Sequence, residues 1–234
     1  MEAVPTTTRF AVAAVAYVVA FGAGAGVFAW VARRRGIGAY HARVIAAAGL
    51  FGGLVGAGLV QLVVSAEPGR TLLGGVGGGW IAVILAKRSF GIRRPMGDPF
   101  AFALAAGEAI GRIGCFAAGC CYGKIADVAW AVHDHGAPRH PTQLYASLAA
   151  LATLGAIAWL ERRRTLPDGA IFLVQGALLC ALRFTIEFFR DAPSYGGLTT
   201  AQYACVAGFA FFAWRLSATV RRASDAPAVA AAAA

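Results

Sequence analysis

Long apolar runs, each cut off by a short stretch rich in arginine, glycine or proline, repeat along almost the whole chain. A helix that crosses a bilayer needs about 20 mostly apolar residues, and seven stretches come near that length. They run from Arg9 to Val31, Val44 to Val64, Leu72 to Ala86, Asp98 to Ala118, Pro141 to Leu160, Gly169 to Phe189 and Leu198 to Trp214. No gap between them could hold a water-soluble domain of useful size. The pattern predicts an all-α integral membrane protein with seven transmembrane helices, forming a single membrane domain over residues 1–222. The Ala-rich end, residues 223–234, has little to bury and is expected to be disordered.

The third stretch is unusual. Gly74, Gly75, Gly77, Gly78 and Gly79 crowd it. Each glycine costs about 1 kcal/mol relative to alanine inside a helix, so a continuous helix is not expected. Two readings stay open. A broken helix would expose backbone N–H groups and make an anion site that includes Gly75. Alternatively, the glycines would let another helix approach closely.

The basic residues set an orientation. Arg33, Arg34, Arg35, Arg43, Lys87, Arg88, Arg93, Arg94, Arg162, Arg163, Arg164, Arg215, Arg221 and Arg222 fall on one side of seven alternating spans. Arg9, Arg70, Lys124, Arg139 and Arg190 fall on the other. The positive-inside rule puts the richer side in the cytoplasm. The N-terminus is then outside and the C-terminus cytoplasmic. The first apolar run is no cleavable signal peptide, because its arginines follow the run instead of preceding it.

Composition narrows the class further. The chain is 59% hydrophobic and 14% charged, where a soluble domain carries about a quarter charged residues. Its net charge of +10 would suggest nucleic acid as a partner in a soluble protein. Here the charges sit at the ends of apolar runs and report topology, so no nucleic-acid binding is expected.

Charges inside the spans are the candidate chemistry. A charged group at the bilayer centre costs at least about 2.5–3.5 kcal/mol. Glu108, Arg112 and Cys115 share one face of the fourth span at i, i+4 and i+7. Gly107, Gly111 and Gly114 form an adjacent stripe where a helix could approach. Arg183, Glu187 and Arg190 are spaced i, i+4 and i+7 near the end of the sixth span. They could be ion pairs that only join helices. However, the three arginines outnumber the two glutamates and lie toward the outer leaflet, which suits a phosphate at headgroup depth.

The outer loop from Gly119 to His140 carries Cys120, Cys121, Tyr122, Lys124, His133, His135 and His140. With Cys115 these could bind zinc in principle, but the spacing matches no standard zinc module. No metal and no cofactor are expected. A disulfide is an option on an oxidising side of the membrane. His140-Pro141 starts the fifth span, with Gln143 and Tyr145 in its first turn.

Three segments in this order resemble the prolipoprotein diacylglyceryl transferase family. They are Gly111-Arg112-Ile113-Gly114-Cys115-Phe116 through Gly123, His140-Pro141-Thr142-Gln143-Leu144-Tyr145, and Arg183-Phe184-Thr185-Ile186-Glu187-Phe188-Phe189-Arg190-Asp191. Leu198-Thr199-Thr200-Ala201-Gln202 is similar to the family's closing segment. The resemblance covers the chain from about Arg70 to Phe212.

The resemblance implies a multi-pass enzyme of the bacterial inner membrane. It would move a diacylglyceryl group from phosphatidylglycerol to the lipobox cysteine thiol of a prolipoprotein. A thioether forms and glycerol-1-phosphate leaves. Its partners would be phosphatidylglycerol, other membrane lipids and the lipobox of a signal peptide. Arg183, Glu187 and His140 are the expected catalytic residues. Arg112, Arg190, Gly111, Gly114, Gln143, Tyr145 and Gly75 are the expected substrate-binding residues. The chain departs from the family in three places. It has Leu73 where a His is usual, Cys115 where an Asn is usual, and Gly119-Cys120 in place of Gly-Glu. These departures favour a second reading, a transferase-like phospholipid binder without thioether chemistry. A small-solute transporter is a third, disfavoured by the lack of a repeat of spans.

Overall fold

The structure is a computed structural model that describes residues 6–65, 72–163 and 166–232. Among these residues it has seven α-helices: α1 (Thr6–Arg34), α2 (Ala39–Ser65), α3 (Leu72–Ser89), α4 (Gly97–Ala118), α5 (Thr142–Arg163), α6 (Ala170–Glu187) and α7 (Thr200–Ala232). All but α3 are long and apolar enough to cross a membrane. α3 falls short because glycines thin its apolar content and Lys87 and Arg88 close it. The helices turn large apolar side chains outward, with Val18 and Phe51 each 72% exposed. Water would not tolerate so much outward apolar surface, whereas lipid matches it.

The chain groups into two compact units. One unit is Phe28–Pro99, and the other joins Met1–Val27 to Phe100–Ala234. The boundaries fall inside α1 and α4.

In the Phe28–Pro99 unit, α2 and α3 pack backbone against backbone. A Cβ on Gly78 would strike the Gly52 carbonyl and stand 2.8 Å from the Gly56 Cα. α3 is therefore continuous, and the break expected at its glycines does not occur. Close approach of two helices compensates their low helix propensity. Gly75 faces the same seam, where an added Cβ would lie 3.5 Å from the Gly53 carbonyl oxygen and 3.6 Å from the Ala57 Cβ. Leu73 lies in the first turn of α3, and its side chain is outside the described residues. At the far end of the unit, Arg35 Nη1 meets the buried Asp98 carboxylate at 2.7 Å.

In the other unit, α1 lies against α4 along the small-residue stripe. An added Cβ on Gly114 would stand 3.2 Å from Ala16 Cβ and Tyr17 Cε1, and one on Gly111 would stand 3.8 Å from Ala20 Cβ. Ser147 on α5 donates to the Ala109 carbonyl of α4 at 2.6 Å. Two short hairpins stand outside the helices. β1 (Val132–Asp134) pairs with β2 (Ala137–Arg139), and β3 (Ser194–Tyr195) pairs with β4 (Leu198–Thr199). Their turns, His135-Gly136 and Gly196-Gly197, have positive φ at both positions, as a two-residue hairpin of this twist requires.

α7 starts on a capping box. The Thr199 N–H donates to Gln202 Oε1 at 2.9 Å, and the Gln202 N–H donates to Thr199 Oγ1 at 3.2 Å. At its other end α7 runs on to Ala232, through the segment expected to be disordered. Alanine is the strongest helix former, and the preceding turns supply the nucleus.

Candidate active site

The charged residues of α4 and α6 form two local ion-paired groups. Arg112 Nε and Nη2 both donate to Glu108 Oε1, at 3.2 and 2.8 Å. Just past the end of α6, Arg190 Nη1 lies 3.6 Å from Glu187 Oε2, and Arg183 Nη2 lies 2.7 Å from the same oxygen. These two contacts are off the hydrogen-bond line, so the attraction there is Coulombic. The other oxygen, Glu187 Oε1, accepts from Thr199 Oγ1 at 3.3 Å. The cluster keeps one positive charge more than it has carboxylates. Its side chains are not equally covered: Glu187 is 3% exposed, against 15–21% for Arg112, Arg183 and Arg190. Glu187 is sealed in while Glu108, at 23%, is open beside Arg112, and the surplus guanidinium favours an incoming anion.

Beside this cluster is a groove between α4, α5 and α6, lined by Glu108, Thr153, Gln175 and Arg183 together with small residues such as Ala105 and Ala149. The alanines leave space that larger side chains would fill.

The loop after α4 is fastened to the end of α6 through the backbone. The Lys124 N–H donates to the Phe189 carbonyl at 2.8 Å, and the Gly123 N–H donates to the His140 carbonyl at 3.1 Å. Gly123 has no room for a side chain, since a Cβ would collide with the His140 carbonyl and stand 2.8 Å from the Phe189 oxygen. Arg139 Nη1 donates to Asp191 Oδ2 at 2.8 Å and to the Gly123 carbonyl at 3.1 Å. Its guanidinium also covers the Tyr122 ring at 4.7 Å.

His140 lies at the foot of α5. Its ring meets Phe189 edge-on at 5.2 Å, and its Nδ1 is 3.0 Å from the Tyr145 hydroxyl. That hydroxyl accepts the Trp130 indole N–H at 2.7 Å. Gln143 and Thr142 are buried, and both are bonded to the loop. Gln143 Nε2 donates to the Cys120 carbonyl at 2.7 Å, and Thr142 Oγ1 donates to the Cys121 carbonyl at 2.8 Å.

Three thiols meet at this loop. Cys115 ends the α4 face that carries Glu108 and Arg112. The chain then turns back through Gly119, at φ 68°, and Cys121, at φ 60°. The sulfurs of Cys115, Cys120 and Cys121 all lie within 4.8 Å of one another. Among the described residues all five cysteines are free thiols. The Tyr17 hydroxyl makes a hydrogen-bond contact with Cys115 Sγ at 3.3 Å. Cys121 is held down to about 5 by its hydrogen bond with Cys115, with help from the positive charges of Arg190 and Arg112 and from Cys120. Burial pushes Cys120 up instead.

Most of the residues singled out from the sequence therefore fall in one unit: Arg112, Gly111, Gly114, His140, Gln143, Tyr145, Arg183, Glu187 and Arg190. Gly75 lies in the other, at the α2–α3 seam. Sequence reasoning missed Tyr17, Trp130, Arg139 and Thr199. Only Thr199 left a readable signal, the Thr-x-x-Gln spacing of a capping box. The other three act through contacts with residues distant in sequence.

The chain is 33% identical over 141 residues to the phosphatidylglycerol–prolipoprotein diacylglyceryl transferase of Geobacter sulfurreducens, covering 58% of this chain and 54% of that protein. The protein of the same name from Clostridium tetani is 28% identical over 195 residues, covering 73% and 78%. The one from Methylococcus capsulatus is 36% identical over 172 residues, covering 68% and 64%. The chain thus spans between about half and four-fifths of these relatives, depending on the one compared. A family model described as prolipoprotein diacylglyceryl transferase matches residues 7–217, and this chain belongs to that family.

Proposed function

We propose that the chain transfers a diacylglyceryl group from phosphatidylglycerol to the thiol of a lipobox cysteine in a prolipoprotein. The observation that carries this reading is the surplus of guanidinium over carboxylate at Arg112, Arg183 and Arg190, with Glu187 sealed beneath. The acceptor thiolate attacks the terminal glyceryl carbon of the lipid. The bond from that carbon to the phosphate oxygen breaks, and its electron pair leaves on glycerol-1-phosphate. Arg112 and Arg190 bind the phosphate and stabilise the charge that grows on it. Glu187, which faces both Arg183 and Arg190, holds the two guanidiniums in position. The groove of alanines between α4, α5 and α6 takes acyl chain. Gly111 and Gly114 let α1 close against this wall, and Gln143 and Tyr145 fix the loop and His140 that flank the substrate.

The reading extends to topology. α3 completes seven spans, with the N-terminus outside, the C-terminus in the cytoplasm and the protein in the bacterial inner membrane. The clustering of Arg and Lys on one side supports this, and it puts the site at the outer leaflet where a signal-peptide cysteine arrives.

The test is mass spectrometry of a lipobox peptide incubated with purified protein and phosphatidylglycerol. Gain of one diacylglyceryl mass on cysteine is expected. No gain with intact protein that still binds phosphatidylglycerol would leave the second reading, a phospholipid binder without thioether chemistry.

A further inference from the structure

The phosphate half of the proposed reaction has its residues, but the half that makes a thiol into a thiolate has no evident owner. Cys115 and Cys120 stand where the resemblance leads one to expect other polar residues, and Cys121 follows them in the chain. We propose that these three thiols hold a zinc ion with one open coordination position, and that the acceptor cysteine occupies that position during transfer. The inference rests on the transferase reading for its substrate and goes beyond it in assigning a metal. It departs from the sequence expectation of no metal, because spacing along the chain does not reveal the reversal at Gly119–Cys121.

The geometry points to this in three ways. The sulfurs already lie within 4.8 Å of one another. Tetrahedral zinc, with Zn–S near 2.3 Å, needs them about 3.8 Å apart, so each moves inward by less than about 1 Å. Cys121 is held with φ 60°, a conformation that a residue with a Cβ adopts at a cost of about 1–2 kcal/mol and that survives where the surroundings impose it. Here the surroundings are named: Thr142 holds the Cys121 carbonyl and Gln143 holds the Cys120 carbonyl. The Tyr17 hydroxyl reaches Cys115 Sγ at 3.3 Å, the outer-shell contact that fixes a metal ligand.

Three protein ligands with a vacant fourth position characterise catalytic zinc, whereas four close a structural site. Among the described residues no His, Asp or Glu joins the three-sulfur group. A thiol that coordinates zinc loses its proton outright. In the proposed step the lipobox S–H gives its proton to water as the sulfur binds zinc. The zinc-bound sulfur then attacks the glyceryl carbon and the phosphate leaves with the bond pair. The zinc stays Zn²⁺ throughout, and no oxidant or reductant is needed.

The experiment measures metal in the full chain, purified in detergent under reducing conditions. About one zinc per chain is expected by elemental analysis. Cys115→Ser, Cys120→Ser and Cys121→Ser should each lose most of it. Cys180→Ser and Cys205→Ser, away from the cluster, should keep it and serve as folding controls. Cobalt exchanged into the site should show thiolate-to-cobalt absorption, and a lipobox peptide should shift that spectrum where its Cys→Ser analogue does not. Zinc-free protein from intact wild type, a disulfide among the three cysteines in place of metal, or a cobalt spectrum indifferent to the peptide thiol would each overturn the inference. Transfer that persists at full rate in chelated, zinc-free protein would overturn it while leaving the transferase reading intact. Metal binding and the peptide-dependent shift without any transfer would sink the transferase reading instead.

Discussion

The side-chain amide of Gln143 donates to the carbonyl of Cys120 at 2.7 Å. This bond joins the first turn of α5 to the cysteine loop, and Gln143 is only 3% exposed. Its donor is already occupied, so we expect it to position the loop rather than touch lipid. Gln143→Leu leaves a buried carbonyl without a partner, a loss of about 1–3 kcal/mol. Thermal unfolding in detergent should fall accordingly, and kcat for lipobox transfer should drop with KM for phosphatidylglycerol little changed. A raised KM at unchanged Tm would instead make Gln143 a substrate contact.

Glu187 offers a sharper case, because one buried carboxylate faces both Arg183 and Arg190. Removing one partner of a buried pair costs about 3–5 kcal/mol, since the remaining charge stays uncompensated. Glu187→Gln keeps the volume and can still accept from Thr199, yet it should unfold at a clearly lower temperature and lose transfer. Adding Arg183→Met removes the nearer and more buried of the two stranded charges. The double variant should regain much of the stability and none of the activity. If both properties return together, the pair is only structural.

Much of this was legible in the sequence, and the exceptions share one cause. Hydropathy finds the helices because apolar runs of side chains are local, although α3 falls short of the six that are apolar enough to cross a membrane. The spacing of Glu108 with Arg112 and of Arg183 with Glu187 finds their ion pairs because helical periodicity is local. The glycines of α3 mislead because propensity describes an isolated helix, and the compensating partner, α2, is a separate segment. The same applies to Cys115, Cys120 and Cys121: their sulfurs converge through a backbone reversal and through clamps from Thr142 and Gln143 that no spacing rule records.

That misleading stretch gives a test of its own. The Gly78 Cα packs on the backbone of Gly52 and Gly56, which cannot swing aside as a side chain could. Gly78→Ala should therefore force α2 and α3 apart, at a cost of about 1–3 kcal/mol. Gly58 lies on the same α2 with nothing within 4 Å of an added Cβ. Gly58→Ala should be neutral or stabilise by about 0.5–1 kcal/mol. Equal thermal stability of the two variants would contradict the close seam.

Arg112 uses two nitrogens on one carboxylate oxygen, which leaves Nη1 free of that pairing and directed elsewhere. A lysine ammonium is a point charge and cannot hold Glu108 while presenting a planar fork to a phosphate. Arg112→Lys should lose about 1.5–3 kcal/mol of charged hydrogen bonding, or roughly tenfold to hundredfold in kcat/KM for transfer. The measurement is the transfer rate with saturating peptide and varied phosphatidylglycerol. Arg112→Lys at wild-type efficiency would show that charge alone suffices there.

The Tyr145 hydroxyl connects Trp130 to His140. An indole N–H only donates, so the hydroxyl oxygen accepts from Trp130 at 2.7 Å. We expect the hydroxyl's own hydrogen to be donated to His140 Nδ1, 3.0 Å away. That order would put the imidazole proton on Nε2. Tyr145→Phe removes both links while keeping the ring that packs on Phe189. Because Trp130 is exposed, water replaces its partner and the stability cost should stay under about 1 kcal/mol. The larger effect should fall on His140, whose tautomer is no longer set. Nitrogen NMR of labelled histidine should show Nδ1 unprotonated in the wild type and a mixture in Tyr145→Phe, with transfer slowed. His140→Gln should then be no slower in the Tyr145→Phe background than alone, because the hydroxyl would act through the imidazole. Additive losses in the double variant would instead give Tyr145 a role of its own.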